Sequence, residues 1–263
     1  YVSLHHLIVG RTCEVSDYCQ NVELYKNTIG KFRGMSEWMR ARFFIKFVSK
    51  VDHALTLARD QILYTRPAIY YINHYELDQS DQNDCCEAMV INTKEIKLYK
   101  NYNHSIYCMY TVYDEDIHDG MILLSDKVVD AFSASHLVIV PVDKFLERLP
   151  HNMSGCNVNC GLVIYDQSFD LNQSIYEIID TTGLNLFHKL PKYSYQQEFR
   201  VVIQDQLNRT KESGYDNPHQ SYELLSPFST TDAKVFEISK LEKDMHGYIL
   251  PIQAPGNVAW QHE

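Results

Sequence analysis

Between residues 88 and 238 the chain returns repeatedly to short runs rich in Val, Ile, Tyr and Phe, and this recurrence limits the fold more than any motif does. The runs fall at 88–91, 96–99, 106–113, 137–142, 162–165, 199–203 and 234–238. Branched and aromatic side chains suit a pleated, half-buried surface, so each run reads as a β-strand. Residues 1–9 (YVSLHHLIV) read as a further strand or an apolar entry segment.

Helical patterns come earlier. Residues 36–48 read as an amphipathic helix capped by Ser36, with Trp38, Met39, Phe43, Phe47 and Val48 along one side. A second helix starts near Val51, where Val51, Ala54, Leu55, Ala58 and Ile62 follow a helical spacing. Short helices are expected at 143–149 and 175–179, and a loop or insertion at 205–230. Helices first and strands afterwards predict an α+β fold, with N-terminal helices packed on a mainly antiparallel or mixed β-sheet. The expected organisation is a single globular domain over 1–263, with an N-terminal elaboration (1–49), a core (50–205) and a C-terminal extension (206–263).

Composition bounds the function classes. Hydrophobic residues make up 45% and charged residues 22% of the chain, enough apolar material for an ordinary core. The net charge of -10 argues against a nucleic-acid partner, whose phosphates need a basic surface. The one strongly basic window, 31–50, reads as a solvated helix face. No run approaches the ~18 apolar residues that a membrane-spanning helix needs. Seven irregularly spaced cysteines, two of them adjacent at Cys85–Cys86, point to reduced thiols and a cytoplasmic setting.

Several chemistries lack their residues. There is no phosphate-cradling glycine loop, no dinucleotide fingerprint and no nucleophile elbow. The segment 81–88 (DQNDCCEA) offers oxygen ligands without the glycine or spacing of a calcium loop, and reads as a polar turn. Cys156 and Cys160, with His151 nearby, lack the second pair that a zinc site requires. No metal is expected. His118 and His136 stand alone.

The most informative stretch is 187–204 (FHKLPKYSYQQEFRVVIQ). If a strand begins near Gln196, alternation places Gln196, Glu198 and Arg200 on one face, with Phe199, Val201 and Ile203 buried on the other. An amide, a carboxylate and a guanidinium at a strand mouth suit a ligand clamp. The same residues suit still better a structural Glu198–Arg200 pair that pins a strand edge.

The order of motifs resembles a bacterial and phage domain family without an established reaction. It is carried by the helix running into Asp60–Pro67, then Asn83-Asp84-x-x-Glu87, then the runs at 106–109, 137–140 and 161–165, and finally Tyr193-x-Tyr195-Gln196-x-Glu198-Phe199-Arg200. The chain departs from that pattern at Gln196, where glutamate is common, and lacks the proline beside Asn-Asp. Gln196-Gln197-Glu198 is also similar to the Q-x-E signature of ADP-ribosyltransferases. That resemblance implies NAD as cofactor, with Glu198 holding a ribose hydroxyl and stabilising an oxocarbenium-like transition state. It implies that Gln196 orients the acceptor and that Arg66 fills the early cationic position. Ser133-Ala134-Ser135 would be the supporting serine strand, and Tyr195 and Arg200 would line the nucleotide site.

A metal-dependent nuclease or hydrolase would need acids such as Asp84, Glu87 and Glu198 to converge, and the acidic net charge argues against its nucleic-acid substrate; two further functions are open. One is an NAD-consuming, ADP-ribosyltransferase-like enzyme acting on a nucleotide or protein substrate in conflict between phage and host. The other is a non-catalytic structural or protein-interaction module, which requires Glu198 and Arg200 to satisfy each other.

Overall fold

The computed structural model describes residues 40–67, 89–91, 94–96, 104–150, 152–153, 156–165, 184–189, 191–204 and 220–260. The expected strand at 1–9, the helix at 175–179 and the polar turn at 81–88 lie outside these residues.

The first described element corrects the sequence reading. Residues expected to form the second half of an amphipathic helix are a strand, β1 (Ala41–Val48). The reason is visible in the run itself. Phe44 and Ile45 are adjacent, point to opposite sides and are both fully buried. A helix facing one core hides one stripe; a central strand hides both faces, and a short apolar run does not distinguish the two by period. A short helix, α1 (Val51–Ala58), follows, and Ile62 belongs not to it but to β2 (Ile62–Pro67).

Strands dominate thereafter. A hairpin joins β3 (Met89–Ile91) to β4 (Lys94–Ile96). The long β5 (Ser105–Tyr113) leads through a 3-10 turn, Asp114–Asp116, to β6 (Ile117–His118) and β7 (Met121–Leu124). Helix α2 (Asp126–Ala131), capped by the Ser125 hydroxyl, precedes β8 (His136–Pro141), and α3 (Val142–Arg148) follows directly. Then come β9 (Asn152–Met153), β10 (Cys156–Leu162) and β11 (Ile164–Tyr165). A strap with 3-10 turns at Leu184–Phe187 and Pro191–Gln196 surrounds β12 (His188–Lys189) and enters β13 (Glu198–Gln204). The described chain ends with β14 (Gln220–Glu223), β15 (Lys234–Glu237), β16 (Glu242–Lys243) and β17 (Tyr248–Pro251).

The main sheet has nine strands, ordered β15-β8-β1-β5-β13-β10-β9, with β2 joining β5 to β14. Every pair in it is antiparallel. A second sheet of four strands runs β16-β17-β7-β6. The protein is thus β-rich and mostly antiparallel. Among the described residues one short helix, α1, lies between β1 and β2 where a set of N-terminal helices was expected. Residues of the expected N-terminal elaboration supply central β1, and residues of the expected C-terminal extension supply β14 and β15 to the same sheet. No helix among the described residues is long and apolar enough to cross a membrane.

Each face of the main sheet is covered differently. On one face Phe44, Met109, Val138, Val140, Phe199 and Val201 pack under α1 and α3. Here Phe44 stacks on Phe199 with ring centroids 4.1 Å apart, and Phe145 meets both rings edge-on. On the other face Ile45, Phe47, Tyr110, Val112, Leu137 and Ile139 pack against α2 and the four-stranded sheet. Further along that second face, Ile106 and Val202 lie against Leu186 and Phe187 of the strap. Between these two apolar clusters sits a group of buried charges.

Candidate functional site

The centre of the group is Glu198, the first residue of β13. Register places it opposite Tyr110 of β5 and places Arg200 opposite Cys108. Because residues two apart on a strand share a face, Glu198 and Arg200 project together on the strap side. Arg200 Nε donates to Glu198 Oε1 at 2.6 Å, and Nη2 donates to Oε2 at 3.2 Å. Arg200 Nη1 donates to the Leu186 carbonyl at 2.6 Å, which ties the strap to the strand. Lys189 reaches in from β12, with Nζ 3.4 Å from Glu198 Oε2. Cys108, opposite Arg200 on β5, brings its thiol to the same face beside this carboxylate. Glu198, Arg200 and Lys189 expose only 5%, 1% and 2% of their surface, so these contacts replace hydration almost completely.

The backbone at Glu198 is equally engaged. Its N–H donates to Tyr165 Oη at 2.9 Å, and its carbonyl accepts from Val163 N–H at 2.8 Å.

Charge and burial oppose each other at Glu198. Burial alone would push the carboxyl upward. The Arg200 guanidinium and then the Lys189 ammonium outweigh burial and hold the group well below the usual carboxylate range. Burial is also the main reason that the Cys108 thiol is pushed far above its ordinary value, and the neighbouring Glu198 charge adds to it. Such a thiol stays protonated and is not a nucleophile.

A third cation stands near, on a side chain that leaves β1 from the opposite face of the sheet. Strand β1 pairs with β5 only as far as Ile45 opposite Tyr110, while β2 pairs with the start of β5, at Ser105 and Ile106. In the fork between β1 and β2, Lys46 Nζ donates to the Cys108 carbonyl at 2.8 Å and lies 4.3 Å from the Tyr107 ring centroid. The ammonium thus serves a carbonyl that neither strand reaches. Burial lowers its proton affinity, and the charge of Arg66 on β2 lowers it further.

The residues singled out in the sequence do not all meet here. Glu198 and Arg200 do, as a mutual pair in the middle of the sheet instead of at a strand edge. Arg66, on β2 opposite Ile106, lies beside the adjoining stretch of β5. Gln196 does not join the row expected with Glu198 and Arg200. It closes the 3-10 turn Pro191–Gln196, and Gln197 has φ 39°, a left-handed conformation that breaks strand alternation before β13 begins. The buried Gln196 side chain instead donates to the Tyr195 hydroxyl at 3.5 Å. The Tyr195 ring lies under the Lys127 ammonium, 3.8 Å from its centroid, among the residues of the second apolar cluster.

Ser133 and Ser135 belong to another part of the molecule. Ser133, with φ 44°, ends α2 and donates its N–H to the Asp130 carbonyl at 2.9 Å. Ser135 Oγ donates to the Ser49 carbonyl and contacts His136 Nδ1, each at 2.8 Å. Ile139, Ile45, Tyr110 and Glu198 stand level across four neighbouring strands. Ser135 is three strand spacings across and four residues along from Glu198, roughly 20 Å by strand geometry.

Other candidates resolve locally. Arg40 and Arg42, from the basic window, pair with Glu115 and Asp114. His118 is exposed on β6. Cys156 and Cys160 share a face of β10 about 13 Å apart, too far to hold one ion. No group of three or more His, Cys, Asp or Glu side chains gathers among the described residues.

Sequence reasoning missed Lys189, Cys108 and Tyr165 as members of this group, and Lys46 near it. The available signal was a polar residue inside an apolar run: Lys46 within FFIKFV, Cys108 within IYCMY and Lys189 within LFHKL. Comparison with protein-family models, with curated proteins and with solved structures finds no match to this chain.

Proposed function

We propose that this chain is a non-catalytic structural or protein-interaction module, of the bacterial or phage type that its motif order resembles, in which Glu198 is an internal brace. The observation that carries this reading is that both Glu198 oxygens are engaged, by Arg200 on one side and by Arg200 with Lys189 on the other. Transferase chemistry of the Q-x-E kind needs a carboxylate offered to a ribose hydroxyl, with its electrostatics arranged around a developing positive charge. Here two cations already flank the carboxylate, and Ser135 lies roughly 20 Å away by strand geometry. The pair also does mechanical work suited to a scaffold: through Leu186 and Lys189 it fastens the strap across the middle of the sheet.

Incubation with NAD tests the proposal. Wild type is expected to release no more nicotinamide than Glu198→Gln, and NAD is expected to leave the melting temperature unchanged, since a ligand that bound the native state would raise it. Nicotinamide release that wild type supports, and that a folded Glu198→Gln protein loses, would replace this reading with the transferase one.

A further inference from the structure

We draw no further inference here: the strongest candidate, the outer face of the four-stranded sheet where Met121 and Leu123 are 41% and 42% exposed, carries nothing because nothing in the structure shows what covers it.

Discussion

Replacing Glu198 by Gln should destabilise the fold by about 3–5 kcal/mol, the range for breaking a buried ion pair from one side. Glutamine preserves the volume and one acceptor oxygen. It removes the negative charge that Arg200 and Lys189 face at 2.6 Å and 3.4 Å. Burial then acts against both cations with no carboxylate between them. For a chain of this size each kcal/mol shifts the melting temperature by roughly 2–4 °C, so the expected fall is about 6–20 °C. Calorimetry and urea midpoints measure it, with the urea slope unchanged if only stability is affected. The effect is pH-dependent with a definite sign. The folded carboxyl titrates below its unfolded value, so its contribution is complete above the unfolded value near 4.3 and is lost as pH falls toward the folded one. The gap between wild type and Glu198→Gln should be constant above about pH 5 and narrow below about pH 4.3. Combining Glu198→Leu with Arg200→Met should cost less than the two single changes added together, because an apolar pair of similar volume suits the same space. A Glu198→Gln protein within about 0.5 kcal/mol of wild type, the usual scatter of surface changes, would refute the bracing argument.

Two further predictions concern the core. Phe44→Ala removes a fully buried ring that stacks on Phe199 and meets Phe145, and should cost about 3–5 kcal/mol in equilibrium unfolding. Cys108 and Cys160 should alkylate slowly in the native protein and rapidly in denaturant, as read by mass spectrometry, because burial pushes the Cys160 thiol up to about 12 and Cys108 higher still. Both side chains are half-buried, so fast native labelling at either position would contradict the upward shift of its thiol.

Some of this was legible in the sequence, for physical reasons that differ by element. The runs at 106–113, 137–142, 199–203 and 234–238 fall within a residue or two of β5, β8, β13 and β15, because branched and aromatic residues concentrate where both faces of a sheet are covered. The helix expected at 143–149 lies one residue from Val142–Arg148. The run at 36–48 misled because Phe43, Phe47 and Val48 fit a helical stripe, while the deciding feature was the adjacency of Phe44 and Ile45. The four-stranded sheet went unread, since Met121–Leu124 and Tyr248–Pro251 are short and their pairing joins segments far apart in sequence. Within the candidate site, alternation along β13 was enough to bring Glu198 and Arg200 to one face. It could not reveal Lys189 or Cys108, whose approach depends on how the strap folds over the sheet and how β5 registers with β13. Nor could it reveal the left-handed Gln197, which separates Gln196 from the row.

The central claim is that the Glu198 charge is consumed inside the fold, and the most direct test is to follow that carboxyl itself. Carbon-13 NMR of the labelled Glu198 side chain, assigned through Glu198→Gln, should show an ionised carboxylate at every pH above the ordinary glutamate value of about 4.3, with no movement when NAD is added. A titration midpoint at or above that value, or a resonance that shifts with NAD, would contradict the account.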